Sequence, residues 1–281
     1  MAEAERSTPV SNLKDVEPIG KDLKNTLAVM SGWFAGSHVE MVEEVAAYGF
    51  PAFENLQAGT WEDRDRVRAK CEELGVQVGA IRGGGSIPKT GPVDPAYHDT
   101  FEKEIRAGIV NARALGSSVL VGLAGQYREG VDKREQMDAL VAAGKRVAPL
   151  LEDAGVTLVW ETLNDKVNHK GYSLVYSCDA ADVVQRTGSP SVKFLFDIYH
   201  QQISEGDVIR NIRTYIDRIG HFHFGDNPGR HEPGTGELNY RNIFKAIYET
   251  GYRGLISAEF SKTESCSTEQ VLRILADCDN W

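Results

Sequence analysis

Residues 219–240 read IGHFHFGDNPGRHEPGTGELNY, and this stretch shows how the chain is organised. It starts as a strand in which histidine and phenylalanine alternate up to Phe224, and it continues into a loop rich in glycine and proline. The loop also carries Asp226, Arg230 and His231, and a merely solvated turn seldom collects so many ionisable groups directly after a strand of buried type. We therefore expect a substrate or metal site where this strand ends, with a polar turn as the alternative.

Strand-like apolar runs alternate with amphipathic helical patterns along the rest of the chain. The eight predicted strands are Thr26–Gly32, Pro51–Leu56, Val76–Ile81, Ser118–Gly122, Val156–Trp160, Val192–Phe196, Ile219–Phe224 and Gly254–Ala258. Eight strand–helix units without a Ser/Pro-rich linker predict a single-domain α/β fold, a (β/α)8 TIM barrel, over residues 25–281. An open doubly wound sheet is the rival, but no predicted strand leads into its Gly-x-Gly-x-x-Gly turn.

Two local features depart from the regular pattern. The triplet Gly83–Gly85 falls in a predicted loop after the third strand, where it supplies flexibility or a close backbone approach rather than a phosphate cradle. Pro149 falls inside a long predicted helix that ends near Gly155, so we expect a kink or a break there.

The composition limits the classes of partner. The chain has 281 residues, 41% hydrophobic content and a net charge of −10, which favours a small-molecule substrate over nucleic acid or an anionic membrane. Its four cysteines form no Cys-x-x-Cys pair and predict reduced thiols of a cytoplasmic protein. Residues 1–24 lack the apolar segment of a signal peptide and predict a flexible N-terminal tail. No stretch approaches the ~18 apolar residues of a membrane span.

Polar side chains end four consecutive predicted strands, the fifth to the eighth. These residues are Glu161, Asp197, His223 and Glu259. In a (β/α)8 barrel the carboxyl ends of the strands share one rim, which carries the chemistry. Acids and an imidazole that follow apolar runs are costly on such a rim unless they are paired or bind a cation. Three carboxylates and one imidazole predict a divalent metal, with Mn²⁺ preferred and Mg²⁺ or Co²⁺ as alternatives, because a structural zinc site would use thiolates.

From residue 26 to residue 262 the sequence resembles the xylose-isomerase-like barrels, and within them the hydroxypyruvate isomerases. The likeness is most specific from Asp226 to Tyr240, and supporting motifs are Glu161–Asn164, Asn168–Tyr172, Asp197–His200 and Ala258–Phe260. The resemblance implies that Glu161, Asp197, His223 and Glu259 bind the metal. It also implies that Glu161 and Glu259 move protons.

The sequence departs from those isomerases at two positions. It has Thr162 where they commonly carry proline, and His223 where they carry glutamine. Sugar 3-epimerases of the same superfamily use histidine at the second position, but they carry an acid where this chain has Val167. The resemblance therefore implies the site more strongly than the substrate.

The chemistry of isomerisation assigns roles to further residues. A proton leaves the carbon beside a carbonyl and returns to the neighbouring carbon, while a metal stabilises the enediolate and two glutamates act as acid and base. His200, His169 and Arg230 are predicted to orient the substrate, and the planar fork of Arg230 suits a carboxylate. Glu54, at the end of the second strand, is a further candidate contact to a substrate hydroxyl.

These residues predict a hydroxypyruvate isomerase-like enzyme that converts hydroxypyruvate to tartronate semialdehyde. A ketose 3-epimerase and a lyase or hydrolase of 3-keto-glycosides, similar to C-glycoside deglycosidases, are alternatives on the same metal site. An abasic-site nuclease would share the spacing of Asp197 and His200, but it needs histidines on earlier strands, where this chain has Arg82 and Leu123. Asp226 either braces its loop or belongs to the site, and a homo-oligomer is left open.

Overall fold

The computed structural model describes residues 13–281, which contain nine strands and nine α-helices. The strands are β1 (Thr26–Met30), β2 (Ala52–Glu54), β3 (Gln77–Val78), β4 (Ile81–Ser86), β5 (Val119–Ala124), β6 (Thr157–Glu161), β7 (Val192–Asp197), β8 (Ile219–Phe224) and β9 (Leu255–Ala258). The helices are α1 (His38–Ala47), α2 (Arg64–Leu74), α3 (His98–Leu115), α4 (Lys133–Ala154), α5 (Ser177–Thr187), α6 (Ile198–Ser204), α7 (Val208–Tyr215), α8 (Tyr240–Glu249) and α9 (Thr268–Asp279).

Two compact units make up the described chain. The first comprises the chain up to Gly79, Ala114–Gly116 and His223–Trp281, and the second comprises Ala80–Arg113 and Ser117–Phe222. The boundary falls within β8, whose residues 219–222 belong to the second unit and whose residues 223–224 belong to the first.

In the first unit the strand order is β3-β2-β1-β9-β8, and β1 pairs in parallel with both β2 and β9. The backbone N–H of Glu259 donates to the carbonyl oxygen of Phe224 at 2.9 Å, which ties the segment after β9 to the end of β8. Leu27, Val29 and Phe53 of β1 and β2 are fully buried. Strands whose side chains are buried on both faces read as continuous apolar runs, which is why the sequence predicted them.

In the second unit the order is β8-β7-β6-β5-β4, and the pairings from β4 to β7 are all parallel. The apolar face of α3 consists of Phe101, Ile105, Ile109 and Ala112, all buried at steps of three or four residues. This spacing places them on one side of the helix, as its sequence pattern predicts.

The third predicted strand and the glycine triplet need correction. Val76–Ile81 is not one strand, because β3 ends at Val78 and β4 begins only at Ile81. The triplet lies within β4 rather than in a loop. A Cβ atom on Gly85 would lie 1.9 Å from the carbonyl oxygen of Leu123 on β5, so glycine permits the close backbone approach that was one of its two expected roles. The other predicted strands each overlap a strand of the structure, and Ile219–Phe224 matches β8 at both ends.

The break considered at Pro149 is wrong, because α4 continues through it to Ala154. Proline removes one hydrogen bond of the helix, but Val147 and Leu151 on either side are fully buried. Burial of this face offsets the loss of one hydrogen bond, since most helical stability in proteins comes from packing an apolar face.

The segment before β1 is partly described. Within residues 13–24, which belong to the predicted tail, Gly20 N–H donates to the carbonyl oxygen of Tyr48 at 2.8 Å and Lys24 N–H donates to Asp279 Oδ2 at 2.6 Å. Residues 1–12 lie outside the described residues, so the flexible tail stays a prediction. Across residues 13–281, no helix combines the length and apolarity needed to cross a bilayer.

Candidate active site

The first unit places Glu54 and Ser257 on one face of its sheet. Strand pairing aligns Glu54 of β2 with Met30 of β1, and Ser257 of β9 with Ala28 of β1. Residues at i and i+2 of a strand share a face, so these four side chains point to the same side. The Ser257 hydroxyl donates to Oε2 of Glu54 at 2.7 Å, across β1.

His223 is fully buried near the end of β8 and contacts two carboxylates of the first unit. Its Nε2 lies 2.6 Å from Oε1 of Glu54, and its Nδ1 lies 3.0 Å from Oε2 of Glu259. An ionised carboxylate only accepts hydrogen bonds, so the shorter contact assigns the single N–H of a neutral imidazole to Nε2, which donates to Glu54. Nδ1 then carries the lone pair and faces Glu259 at the longer distance. A cation with octahedral bonds of about 2.1 Å holds neighbouring ligand atoms about 3 Å apart. The spacing of Nδ1 and Oε2 therefore fits such a cation.

Arg230 reaches the same carboxylate from the motif loop. Its Nη2 forms an ion pair with Oε2 of Glu259, and its backbone lies in the left-handed region with φ of 58°. Asp226, which is fully buried, accepts four backbone N–H groups of the loop at 2.8 to 3.1 Å, and its carbonyl oxygen accepts Arg230 N–H at 2.9 Å. These bonds stabilise the loop although the left-handed backbone conformation of Arg230 is unfavourable. Asp226 thus has the bracing role, one of the two expected for it.

In the second unit, Glu161 ends β6 and Asp197 ends β7, and both are buried. Strand pairing aligns Glu161 with Leu195, and Asp197 lies two residues beyond Leu195 on the same face. One oxygen of each carboxylate lies within 4.8 Å of the other. Asp197 also caps α6, because its Oδ1 accepts His200 N–H at 3.2 Å. The two acids therefore face each other closely enough to share a cation.

His200 is held by the loop that follows β6. The backbone N–H of Asn164 donates to His200 Nδ1 at 3.3 Å, and Nδ2 of Asn164 lies 2.6 Å from the same atom. Because an amide N–H can only donate, Nδ1 accepts and Nε2 carries the hydrogen. That Nε2 lies 3.6 Å from Oδ2 of Asp197. The ring of His169 stands 5.1 Å from the ring of His200, centroid to centroid.

Two tyrosines near the predicted site residues, Tyr172 and Tyr252, have raised pKa values and take no part in proton transfer near neutral pH. The hydroxyl of Tyr172 accepts Ala124 N–H at 2.8 Å and donates to the carbonyl oxygen of Glu161 at 3.1 Å. Burial raises the pKa of Tyr172, against the lowering effect of Ala124 N–H, and the charge of Glu161 raises it further. Burial, and then the charge of Glu54, raise the pKa of Tyr252. Acid–base chemistry is therefore left to the carboxylates and imidazoles.

The predicted site residues divide between the units. The first unit brings together Glu54, His223, Arg230 and Glu259, and the second brings together Glu161, Asp197, His200 and His169. Two contributing residues had no predicted role, Ser257 and Asn164. Ser257 lies two residues before Glu259, the spacing of side chains on one face of a strand, and this signal could have identified it.

Sequence comparison extends the likeness over most of the chain. The model of the xylose isomerase-like TIM barrel family matches residues 42–278, a range that includes every predicted site residue. The match confirms the (β/α)8 barrel predicted from the alternation of strands and helices.

Curated relatives indicate the class of reaction. The hydroxypyruvate isomerase of Escherichia coli (strain K12) is 32% identical over 179 residues, covering 64% of this chain and 68% of that protein. The 2-oxo-tetronate isomerase of Cupriavidus necator is 39% identical over 166 residues, covering 59% of this chain and 64% of that protein. These relatives support an isomerase or epimerase function.

Solved structures agree with the fold. The AP endonuclease of family 2 from Brucella melitensis has a TM-score of 0.75 and 25% identity, covering 86% of this chain and 96% of that one. A D-psicose 3-epimerase crystallised in the presence of D-fructose has a TM-score of 0.71 and 22% identity, covering 90% and 94%. The second likeness shows the fold alone.

Proposed function

This chain belongs to the xylose isomerase-like TIM barrel family, and on that premise we propose that it is a divalent-metal-dependent isomerase that converts hydroxypyruvate to tartronate semialdehyde. The observation that carries the proposal is the meeting of His223 Nδ1 and Arg230 Nη2 at one oxygen of Glu259. An imidazole and a carboxylate can bind a cation, and the guanidinium beside them can bind an anionic group of the substrate. The names of the relatives support the class of reaction.

The proposed metal ligands are the side chains that end four successive strands, Glu161, Asp197, His223 and Glu259. In a (β/α)8 barrel the carboxyl ends of the strands share one rim, which supports one site for these side chains. Three carboxylates with one imidazole suit Mn²⁺ best, with Mg²⁺ and Co²⁺ as alternatives. Such a cation, when bound, polarises a carbonyl group and stabilises negative charge that develops beside it.

Glu161 and Glu259 are the proposed acid and base. A carboxylate that gives one oxygen to a cation keeps a second oxygen for a proton. One glutamate removes a proton from the hydroxymethyl carbon of hydroxypyruvate, and the other returns a proton to the former carbonyl carbon. The hydroxyl proton moves from the oxygen that becomes the aldehyde to the oxygen that becomes the new hydroxyl group, so the two isomers have the same atoms. Arg230 beside Glu259 favours the ionised form of that carboxyl group, as a base requires.

Substrate orientation is assigned to Arg230, His200 and His169. The guanidinium of Arg230 can bind the carboxylate of hydroxypyruvate with two parallel hydrogen bonds. His200 carries its hydrogen on Nε2, so it can donate to a substrate oxygen, and His169 stands beside it.

A ketose 3-epimerase is the second candidate, and His223 is the observation that favours it. The hydroxypyruvate isomerases that the sequence resembles carry glutamine there, whereas sugar 3-epimerases carry histidine. Val167, where those epimerases carry an acid, is an exposed apolar residue and weakens this candidate. A 3-keto-glycoside lyase would use the same acids. A nuclease is disfavoured because β4 and β5 offer Arg82 and Leu123 instead of further histidines.

A substrate screen in deuterated solvent tests the proposal. Protein loaded with Mn²⁺ is incubated with hydroxypyruvate, 2-oxo-tetronate, C4–C6 ketoses and 3-keto-glycosides, and products are followed by NMR. We expect tartronate semialdehyde from hydroxypyruvate, with solvent deuterium on the former carbonyl carbon or its neighbour. Turnover of ketoses alone with exchange at the third carbon would replace the isomerase by the epimerase. Release of a leaving group would replace it by the lyase.

A further inference from the structure

Glu54 has a role that the chemistry of substrate binding does not explain. Both of its carboxylate oxygens meet protein donors of the first unit, Oε1 with His223 Nε2 at 2.6 Å and Oε2 with the Ser257 hydroxyl at 2.7 Å. The side chain is buried, with 4% of its surface exposed. A buried carboxylate is stable only when such donors satisfy it. Its bonding is therefore directed at His223 rather than outwards at a ligand.

Small residues beside Glu54 leave space for its carboxylate. On one side of β2 lies β1, whose neighbouring same-face residue Ala28 is small enough for Ser257 to reach Glu54 across it. On the other side, Gly79 follows β3, and a Cβ atom there would lie 2.4 Å from Oε2 of Glu54. Ala28 and Gly79 thus leave the carboxylate of Glu54 room to reach its donors.

We propose that Glu54 is a positioning residue, which accepts the Nε2–H of His223 and thereby turns Nδ1 towards the metal, with Ser257 fixing the carboxylate. This role rests on the proposed metal function. A histidine ligand commonly donates its second ring N–H to a carboxylate, which fixes its tautomer and ring orientation and makes the binding nitrogen more basic. Here the contact also selects the ring atom, because Nδ1 is the nitrogen that lies 3.0 Å from Glu259 Oε2.

The arrangement has a consequence for His223 itself. A buried imidazole that can turn over would offer either nitrogen to the metal. The contact of Nε2 with Glu54 and the full burial of the ring restrict it to one orientation. Loss of the carboxylate charge should therefore weaken metal binding without removing any ligand. The effect expected from such a partner is about 10- to 100-fold in metal affinity.

The tautomer is the first measurement, and it needs no metal. Long-range ¹⁵N–¹H NMR spectra of the metal-free protein report which ring nitrogen of each histidine carries hydrogen, and the spectrum of His223→Gln assigns the signals of His223. We expect hydrogen on Nε2 in the wild type. Hydrogen on Nδ1 would overturn the proposal, because Nδ1 would then face the site as a donor.

Metal affinity is the second measurement, made by calorimetric titration with Mn²⁺ after each variant is shown to be folded by circular dichroism. Glu54→Gln should bind Mn²⁺ about 10- to 100-fold more weakly. Ser257→Ala, a milder change, should lose about 2- to 10-fold, because it frees the carboxylate without removing it. Ser117→Ala is the matched control, since Ser117 is a buried serine just before the amino end of β5, and it should leave the affinity unchanged.

The outcomes separate this inference from the proposed function. Wild-type affinity in both Glu54→Gln and Ser257→Ala, with turnover of hydroxypyruvate intact, would overturn the positioning role alone. A wild-type protein that binds Mn²⁺ as expected but turns over none of the tested substrates would overturn the proposed reaction and leave the positioning role standing. A wild type that binds no divalent cation would overturn both, whichever tautomer it shows.

Discussion

His223 in the first unit and His200 in the second are both fully buried imidazoles, yet a different ring nitrogen of each is held by a hydrogen bond. In His223 the hydrogen on Nε2 is bound by Glu54, and the lone pair of Nδ1 turns towards Glu259. In His200 the lone pair of Nδ1 is bound by Asn164 N–H, and the hydrogen on Nε2 turns towards Asp197.

The difference shows how a protein assigns one residue type to two tasks. Both rings have the same tautomer, with hydrogen on Nε2. The carboxylate of Glu54 accepts that hydrogen in His223, whereas the amide of Asn164 donates to the lone pair of Nδ1 in His200. A ring that presents a lone pair can bind a cation, and a ring that presents N–H can donate to a substrate oxygen.

The largest difference is expected between His223→Ala and His200→Ala. The first should lose tightly bound metal and activity together, as should Asp197→Ala. The second should keep its metal and lose about 10- to 100-fold in kcat/KM, because a hydrogen bond to a charged group contributes about 1.5–3 kcal/mol. Metal content is measured by mass spectrometry after gel filtration, with circular dichroism as the folding control. Equal metal loss from both histidine variants would refute the distinction.

Glu161→Gln and Glu259→Gln compare one acid from each unit. Both variants should keep some metal, but each should slow exchange of substrate hydrogen with solvent deuterium by orders of magnitude, at about 1.4 kcal/mol for every tenfold. The loss follows because glutamine can bind a cation through its oxygen but cannot carry a proton to carbon. Wild-type exchange in either variant would exclude that residue as acid or base.

Arg230→Lys tests the anionic substrate on the side of the site that carries His223. Lysine keeps the charge but loses the planar fork, so kcat/KM for hydroxypyruvate should fall about 10- to 100-fold. For a neutral ketose the loss should stay under about tenfold, because the guanidinium would then bind only hydroxyl groups. Steady-state kinetics on both substrates give the comparison. Near-wild-type turnover of hydroxypyruvate by the variant would favour sugar epimerisation.

Asp226→Asn is expected to have the smallest effect, on stability. Its carboxylate accepts four backbone N–H groups of the loop, and an amide replaces one acceptor oxygen by a donor. Unfolding in urea should show a loss of about 1–3 kcal/mol. Glu237→Gln is the matched control, because Glu237 is exposed, and its effect should stay within about 0.5 kcal/mol. Equal losses would show that Asp226 does not brace the loop.

Local pattern predicted most of the fold because most of the parallel strands are short apolar runs, and polar residues stand at or next to the ends of several of them. The run Ile219–Phe224 became β8 with the same limits, and Glu161 and Asp197 were predicted at the ends of strands where the structure has them. Val76–Ile81 failed because β4 is built on three glycines. Glycine is rare in strands, and only contact with β5 explains it here.

The sequence by itself determined the order of strands and helices and the polar side chains at the strand ends, because both depend on residues that are close together in the chain. Tertiary structure alone decided which end of each histidine is presented. Glu54 lies 169 residues before His223 and 203 before Ser257, and Asn164 lies 36 before His200. A tautomer depends on whether the partner donates or accepts a hydrogen bond. Sequence periodicity predicts only local structure, so it does not identify a partner that is distant in the chain.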